Sequence, residues 1–217
     1  MKTAMILAAG RGSRLKPLTN NIPKALCLVH GIPLIEYHVN NLAKSGFTHI
    51  VINHAYLGGK IRQHLGCGDR FGVDIRYSPE PTGGLETGGG IVNALPLLGT
   101  EPFVTVNADI YTDFDFSRLH VAENSLANFV LVKKPAFRPH SDFGLSKDNR
   151  LSNDNKQYTY TGIACYRPAL FEKLKPGRFS VAPLLSQLAE DQSASAEVFH
   201  GKWIDIGSPE RLKQANA

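Results

Sequence analysis

The sequence predicts an α/β domain with a mainly parallel central sheet and helices on both of its faces. Two observations lead to this fold class. Short apolar runs alternate with segments of helical periodicity through the first half of the chain, which is typical of parallel sheets. The length of 217 residues, with 42% hydrophobic and 20% charged residues, fits one well-buried domain. We therefore expect a single domain over residues 1–217.

The elements of the first half are placed by apolar runs and by the glycines and prolines that bound them. Strands are predicted at residues 3–9, 47–53, 73–77 and 103–107. Helices are predicted at residues 33–46, 56–65 and 86–98. Pro96 is expected to shorten the last helix, and Pro79 is expected to end the third strand. Because ligands bind beyond the carboxyl ends of parallel strands, the loops after the first and fourth strands form the expected ligand edge.

The second half of the sequence is less regular. Strands are predicted at residues 126–133, 158–166 and 196–204, and helices at residues 168–174 and 181–190. A closing helix should begin after Ser208, which is a favourable N-cap residue. We expect residues 1–110 to bind a cofactor-like ligand and residues 111–217 to add a pocket wall.

Positive charge is concentrated at the amino-terminal end. The net charge of +5 is mild, but the first acidic residue is Glu36, and five basic residues precede it: Lys2, Arg11, Arg14, Lys16 and Lys24. Nucleic-acid-binding proteins usually spread Lys and Arg along a face with interleaved aromatic residues. The pattern therefore favours a compact anionic ligand and argues against a nucleic-acid partner.

The cysteines and histidines suggest no metal site of their own. Cys27, Cys67 and Cys165 are odd in number and widely spaced, which fits neither a disulfide framework nor a zinc site. The eight histidines lack metal-ligand spacing. With no segment of membrane-spanning length, we expect a cytoplasmic protein with reduced thiols and no membrane partner.

The stretch LAAGRGSRLKPLT, residues 7–19, is the most informative segment. Its glycines follow a predicted strand, where bare backbone N–H groups can approach an anion. The spacing matches neither the dinucleotide fingerprint GxGxxG nor the P-loop GxxxxGK[ST]. Arg14 could neutralise a polyphosphate through its forked guanidinium, and Lys24 could do so as a point charge.

This stretch, together with IPKAL at residues 22–26, resembles the signature of the nucleoside triphosphate:sugar-1-phosphate nucleotidyltransferases. The segments LIEYHVNNLAKSG, IVINHAYLG, RYSPE, LETGGGI, NAD and WIDIGSPERL resemble family segments in the same order. The short chain and the segment LETGGGIVNALPLLG are most similar to the bacterial subfamily that uridylylates N-acetylmuramate α-1-phosphate. The resemblance implies the Rossmann-like, three-layer nucleotide-diphospho-sugar transferase fold. It also implies UTP and a sugar 1-phosphate as partners.

The resemblance further implies a set of site residues. The nucleotide would be bound in the first half by Ala8, Gly10, Gly12, Ser13, Arg14, Lys24, Glu80 and Gly88. Arg14, Lys24 and Asp109 would be catalytic, and Mg²⁺ would be held by Asp109 and Asp205. Mg²⁺ prefers one or two protein carboxylates together with phosphate oxygens and water, which fits this pair.

For the sugar phosphate, the second half offers Asp142 and Gly162, and Asn107 ends the fourth predicted strand. N-acetylmuramate carries a lactyl carboxylate, which would require a cation. Three candidates are available for it, and the sequence does not choose among them: Arg138, His140 and Lys156.

Several alternatives stay open. Asp113 and Asp115 form a DxD pattern typical of metal-dependent glycosyltransferases, although such enzymes do not need the basic opening loop. Guanylyl transfer to mannose 1-phosphate and uridylyl or thymidylyl transfer to glucose 1-phosphate use similar loops. A non-catalytic nucleotide-binding protein is a further possibility. The expected assembly is a monomer or a small homo-oligomer.

Overall fold

The computed structural model of the chain describes residues 2–217. The helices are α1 (Leu34–Lys44), α2 (Gly58–Leu65), α3 (Glu86–Leu98), α4 (Ala182–Glu190) and α5 (Pro209–Ala215). In chain order the strands are β1 (Thr3–Leu7), β2 (Leu28–Val29), β3 (Ile32–Pro33), β4 (His49–His54), β5 (Asp74–Pro79), β6 (Phe103–Asn107), β7 (Ile110–Thr112), β8 (Ala127–Lys133), β9 (Gly144–Leu145), β10 (Leu151–Ser152), β11 (Tyr158–Tyr166), β12 (Ala194–Val198) and β13 (Trp203–Asp205).

A seven-stranded mixed sheet forms the centre, in the order β12-β8-β11-β6-β1-β4-β5. Only β11 runs antiparallel to its neighbours, β6 and β8. The remaining pairings, β1 with β4 and β6, β4 with β5, and β8 with β12, are parallel. The predicted mainly parallel α/β sheet is therefore confirmed.

The interior strand β1 contributes to apolar cores on both faces of the sheet, because successive side chains of a strand point to opposite sides. Ala4 and Ile6 share a buried cluster with Ile35 on α1. Met5 shares another buried cluster with Ile91 on α3. Burial of each isoleucine or methionine side chain contributes about 1.5–3 kcal/mol to the stability of the fold. The predicted helices on both faces are thus confirmed.

Most predicted elements match the structure to within a few residues, but two helix expectations were wrong. Pro96 does not shorten α3, which runs to Leu98. Pro79 is the last residue of β5, so the strand ends there as expected. An edge strand tolerates a proline because one row of its N–H groups has no strand partner, and β5 is the edge of the sheet. The helix predicted at 168–174 is only a short 3₁₀ turn, Pro168–Leu170.

The single strand predicted at 196–204 is two strands in two different sheets. β12 extends the central sheet, whereas β13 pairs with β7 in a separate antiparallel ribbon. The chain changes direction at Gly201, and the Asp113 carboxylate accepts a hydrogen bond from the next N–H, that of Lys202, at 2.7 Å. This break delivers β13 to the loop that follows β6. Across residues 2–217, no helix combines the length and the apolar character that crossing a bilayer requires.

Candidate active site

The carboxyl ends of three parallel strands meet at one edge of the sheet. Leu7 of β1 lies in register with Asn53 of β4 on one side and with Asn107 of β6 on the other. The opening loop leaves this edge after Leu7, and Asp109 follows Asn107 by two residues. The predicted ligand edge therefore brings together segments that are far apart in the chain.

A hydrogen-bond network fixes the rim of this edge. The Asn53 amide oxygen accepts from the Ala8 N–H at 2.8 Å, and its nitrogen donates to Glu80 Oε1 at 2.6 Å. The other carboxylate oxygen, Oε2, accepts from the Leu85 N–H at 2.6 Å. A side chain at Gly90 would collide with this pair, since its Cβ would lie 2.6 Å from Glu80 Oε1 and 2.7 Å from Asn53 Nδ2. The Glu80 carboxylate thus joins the opening loop to the start of α3.

The first cleft opens above this network and has a volume of about 770 Å³. Every residue that lines it lies between positions 7 and 109. Small residues of the opening loop form one wall, and the segment before α3 forms the other. The lining comprises Leu7, Ala8, Ala9, Gly10, Arg11, Lys24, Ala25, Asn53, Ala55, Tyr56, Leu57, Glu80, Thr82, Gly83, Gly84, Glu86, Thr87, Asn107, Ala108 and Asp109.

Lys24 and Asp109 form an ion pair at the inner end of the first cleft. Their side chains are 12% and 31% exposed, so the pair is mostly shielded from water but still reachable by a ligand. The turn at Gly12 packs over the aliphatic stem of Lys24, and its carbonyl accepts a hydrogen bond from Thr19 at 2.8 Å. The opening loop therefore helps to hold Lys24 against Asp109, which lies two residues beyond the end of β6.

The β7–β13 ribbon brings Asp205 to Asp109 across 96 positions of sequence. Asp205 pairs in register with Ile110, and the Ile206 N–H donates to the Asp109 carbonyl at 2.8 Å. The Asp205 Oδ2 atom is bound by Arg211 of α5 at 3.0 Å. The predicted convergence of these two aspartates in the fold is therefore present.

These two carboxylates fit a Mg²⁺ ion. Asp109 and Asp205 each use Oδ2 for an ion pair, and within residues 2–217 neither Oδ1 has a hydrogen-bond or ion-pair partner. No group of three or more His, Cys, Asp or Glu side chains that could hold a metal occurs in the same residues. Mg²⁺ commonly binds one or two carboxylates and takes its remaining ligands from phosphates and water. This donor set suits an ion that arrives with a phosphorylated ligand.

The second cleft, of about 500 Å³, adjoins the first and shares Asn107 and Asp109 with it. Side chains from β11, β13, α4 and the loop before β9 line it. The lining comprises Arg14, Asn107, Asp109, Ile110, Arg138, Ser141, Asp142, Phe143, Lys156, Tyr160, Thr161, Gly162, Ala182, Leu185, Ser186, Trp203 and Asp205. Six of these residues carry a formal charge, three positive and three negative.

A bulge in β11 seats the Asn107 side chain between the two clefts. The register of β11 against β8 shifts between Tyr160 and Ala164, and Gly162 within this shift has φ +81°. A Cβ at Gly162 would lie 2.4 Å from the Asn107 amide nitrogen. Only glycine combines this left-handed backbone with room for the amide.

Asp142 and Arg14 occupy the second cleft in different ways. The Asp142 Oδ2 atom accepts from the Tyr160 N–H at 2.9 Å, and its Oδ1 lies 4.0 Å from Arg138 Nη1. Arg14 has no hydrogen-bond or ion-pair partner within the described part of the chain, residues 2–217. A side chain at Gly207 would lie 2.9 Å from Arg14 Nη2. The Arg14 guanidinium is therefore adjacent to Gly207, which follows Asp205 by two positions in the chain.

The predicted site residues therefore fall into three groups. Ala8, Gly10, Lys24, Glu80, Asn107 and Asp109 line the first cleft. Arg14, Asn107, Asp109, Asp142, Gly162 and Asp205 line the second. Gly12, Ser13 and Gly88 line neither. Gly12 covers Lys24, Ser13 begins a 3₁₀ turn, and Gly88 packs against Phe179, whose ring would lie 2.4 Å from an added Cβ.

Sequence reasoning missed two residues of the site. Asn53 ends a buried strand, and the polar-residue signal that selected Asn107 applies to it equally. Arg211 forms an ion pair with Asp205. In the sequence it is a basic residue of a predicted helix like any other, and no pattern indicates that Asp205 is its partner.

Asp113 and Asp115 lie elsewhere. They line a separate cleft of about 410 Å³ together with Lys44 and Tyr111. The Asp113 carboxylate accepts from the Lys202 N–H at 2.7 Å, and that of Asp115 accepts from the Ser117 N–H at 3.0 Å. The Asp115 carboxylate stabilises a local turn, and the Asp113 carboxylate holds the distant bend before β13. Both are used in backbone contacts, an arrangement that does not favour the glycosyltransferase interpretation.

His38 of α1 lies close to Asp109. The side chain is buried, and within residues 2–217 neither ring nitrogen makes a hydrogen bond of ordinary geometry, although the Ile110 backbone lies close to the ring. Burial lowers the pKa of His38 to about 4, while the negative charge of Asp109 and the Ile110 backbone act in the opposite direction. The imidazole is therefore neutral at pH 7.

The family comparison decides the class of protein. A family model described as nucleotidyl transferase matches residues 3–217. The chain belongs to this family. The resemblance predicted from the opening loop is confirmed, as is the predicted enzyme class.

Curated relatives and solved structures agree with this assignment. An N-acetylmuramate alpha-1-phosphate uridylyltransferase of Neisseria meningitidis serogroup B is 45% identical over 223 residues, which cover 99% of this chain and 96% of the relative. A protein of the same name from Caulobacter vibrioides is 31% identical over 235 residues, with 100% and 96% covered. A crystal structure of a candidate glucose-1-phosphate thymidylyltransferase from Bacillus anthracis, with bound sucrose, gives a TM-score of 0.84. At 23% identity, covering 100% of this chain and 94% of the other, this match shows the shared fold.

Proposed function

We propose that this chain transfers the uridylyl group of UTP to N-acetylmuramate α-1-phosphate and releases pyrophosphate. The relatives of 45% and 31% identity carry this activity in their names, and this chain aligns with nearly all of each. The same family includes enzymes for other bases and sugars, so the choice of UTP and of this sugar is the proposal.

One geometric observation carries the reaction type. Asn107 and Asp109 line both clefts, so ligands in the two clefts meet at the carboxyl end of β6. A nucleoside triphosphate fits the first cleft, whose lining includes small residues of the opening loop and the basic residues Arg11 and Lys24. A sugar 1-phosphate fits the second cleft, with its phosphate directed toward Asp109. The reacting groups would then be adjacent.

The proposed step is an in-line displacement. A phosphate oxygen of the sugar 1-phosphate forms a bond to the α-phosphorus of UTP, and the bond from that phosphorus to the oxygen bridging the β-phosphate breaks. That oxygen leaves with pyrophosphate. The attacking phosphate is already an anion near neutral pH, so the step needs no general base. Catalysis then consists of positioning and charge neutralisation.

Lys24 and Arg14 supply positive charge on the two sides of this step. Lys24, at the inner end of the first cleft, would bridge the α-phosphate and the incoming phosphate. Arg14 lines the second cleft near Asp205, and its contact with the β- and γ-phosphates stays a prediction. A bound Mg²⁺ on Asp109 and Asp205 would supply further neutralisation of the phosphates. Two anions must approach each other, so these cations are the main catalytic device.

A substrate panel tests the proposal. Four nucleoside triphosphates would each be combined with Mg²⁺ and with N-acetylmuramate, glucose or mannose 1-phosphate, and pyrophosphate release would be measured. The expected result is the highest kcat/KM for UTP with N-acetylmuramate 1-phosphate. Preference for GTP with mannose 1-phosphate, or for a glucose 1-phosphate, would replace the proposed substrate. No release with any pair would favour a non-catalytic nucleotide-binding protein.

Asp109→Asn tests the metal role separately from the fold. Turnover should be lost. Wild type is expected to show a Mg²⁺-dependent rise in melting temperature with UTP, and this rise should be absent in the variant. Asp113→Asn is the matched control, because it changes an acid of the same loop region outside both clefts, and it should keep activity and the Mg²⁺ response. Near-normal turnover in Asp109→Asn would exclude the metal role. Cytoplasmic location and a monomeric or small homo-oligomeric state stay predictions.

A further inference from the structure

The proposed sugar substrate has a second anionic group, and this inference rests on the proposed function. N-acetylmuramate 1-phosphate carries its phosphate at one end and the carboxylate of a lactyl ether on the ring. If the phosphate lies at Asp109, where the clefts meet, the carboxylate must lie farther out in the second cleft. A cation there would distinguish this sugar from one without the lactyl group.

The structure separates the three candidate cations that the sequence leaves open. Arg138 and Lys156 both line the second cleft. His140 is exposed and does not line it. Arg14, the other cation of this cleft, stands beside Gly207 at the Asp205 end, where the phosphates meet.

Lys156 is an uncommitted charge on an anchored segment. The Asn153 amide donates to the Ser186 carbonyl of α4 at 2.9 Å. On the other side of Lys156, the Gln157 N–H donates to the Phe143 carbonyl at 3.0 Å. The Lys156 ammonium has neither a hydrogen bond nor an ion pair within residues 2–217. Its segment is therefore held in place while its charge stays available.

Arg138 lies in the connection between β8 and β9. Its N–H donates to the Pro135 carbonyl at 3.0 Å, and its carbonyl accepts from Lys134 Nζ at 2.9 Å, so the backbone is fixed by a turn. The guanidinium lies 4.0 Å from Asp142 Oδ1, which is beyond hydrogen-bonding distance. The guanidinium thus keeps its donors free for another acceptor.

We propose that Arg138 and Lys156 together bind the lactyl carboxylate and determine the preference for an acidic sugar. Arg138 offers the fork that matches a carboxylate, and Lys156 adds a point charge from the facing segment. The Asp142 carboxylate, held by the Tyr160 N–H, lies 4.0 Å from the Arg138 guanidinium and attracts it toward the second cleft, which both residues line.

The test compares N-acetylmuramate 1-phosphate with its primary amide, in which the lactyl carboxyl is neutral but has nearly the same shape. Wild type should favour the acid by about tenfold to a hundredfold in kcat/KM, the size expected for a charge-assisted contact. Arg138→Ala and Lys156→Ala should each reduce this acid-to-amide ratio, and the double variant should bring it close to one. The KM for UTP should not change.

Two further variants make the result specific. Lys147→Ala removes an exposed lysine of the neighbouring turn that does not line the cleft, and it should leave the ratio unchanged. Lys156→Arg keeps the charge and should keep most of the preference. If the double variant retains the wild-type ratio, or if His140→Ala abolishes it, the assignment of these two cations is wrong.

The proposed function and this inference fail in different ways. Wild type that uses the acid and the amide equally well would overturn the carboxylate site and leave uridylyl transfer to this sugar intact. Wild type that uses neither compound would overturn the proposed substrate and the inference with it. Loss of activity with both compounds to the same extent in the double variant would assign the two cations to general binding, which contradicts the inference.

Discussion

The two clefts that meet at Asn107 and Asp109 are built on different principles. The first cleft is formed within residues 7–109, and eight of its twenty lining residues are alanine or glycine. The second is smaller, about 500 Å³ against 770 Å³, and only two of its seventeen lining residues are alanine or glycine; its charged side chains come from segments scattered from Arg14 to Asp205. The first cleft is therefore richer in small residues, whereas larger side chains form most of the second.

This difference corresponds to what each cleft would bind. A triphosphate is recognised well by backbone N–H groups and by one or two cations, which a single loop can supply. A particular sugar must be distinguished from others by its substituents, which requires side chains at separate positions. We therefore expect substitutions in the first cleft to affect UTP, and those in the second to affect the sugar.

The junction should be the exception, and the largest effect is expected there. Lys24→Met removes the charge that we propose to lie between the two reacting phosphates, so kcat should fall by about a hundredfold to a thousandfold, with a smaller change in the KM for either substrate. Steady-state kinetics with each substrate varied in turn measure this. Lys16→Met, an exposed lysine of the same loop that lines neither cleft, should stay near wild type. A rise in the KM for UTP with unchanged kcat would assign Lys24 to ground-state binding alone.

Gly162→Ala should disturb the second cleft selectively. The new Cβ would displace the Asn107 amide, and the left-handed backbone would be strained, at a cost of about 1–3 kcal/mol in unfolding free energy. We expect the KM for the sugar phosphate to rise about tenfold or more, with a smaller effect on UTP. Gly46→Ala is the matched control, because Gly46 has φ +82° but open space around its Cβ position. An equal rise in both KM values would show that the two clefts are not separable at this point.

Gly90→Ala should give the converse, smaller result. The Cβ would push on the Asn53–Glu80 contact that ties the opening loop to α3, so the KM for UTP should rise by about fivefold while that for the sugar changes little. Alanine favours a helix by about 1 kcal/mol over glycine, which offsets part of the clash. Gly59→Ala in α2, with nothing near its Cβ, isolates the helix contribution. A change confined to the sugar KM would contradict the division of the clefts.

The same contrast explains what could be predicted from the sequence. The strands β1 and β6 were located to within two residues, because their mainly apolar runs are followed by glycine or end at asparagine. The opening loop was predicted because its determinants lie within thirteen consecutive residues. Local patterns suffice where the structure is local.

The second cleft could not be predicted from local sequence patterns, because it is formed by contacts between distant segments. The ribbon strands β7 and β13 are three residues each, and their pairing alone brings Asp205 to Asp109. The predicted strand at 196–204 ran through the break at Gly201, since nothing in its apolar pattern indicates that the two parts belong to different sheets. The position of Asp109 after β6 placed it at the expected ligand edge, but its pairing with Asp205 was available only through family resemblance, and Arg211 had no signal at all.

The last prediction concerns His38, which lies close to Asp109, where the two clefts meet. Of the substitutions discussed, His38→Leu should have the smallest effect on turnover at pH 7. Burial lowers the pKa of His38 to about 4, so the folded state does not take up the proton that the unfolded chain binds near pH 6.5. The stability linked to the neutral imidazole is complete above that pH and is lost as the pH falls from about 6.5 to about 4. Between pH 7 and pH 5, wild type should lose about 2 kcal/mol of unfolding free energy relative to His38→Leu, measured by urea unfolding at both values. His140→Leu, an exposed histidine, should follow wild type. Parallel loss in wild type and His38→Leu would mean that the folded protein already takes up a proton on His38 at pH 5. The charge near Asp109 would then change between pH 7 and pH 5, which contradicts the low pKa of His38.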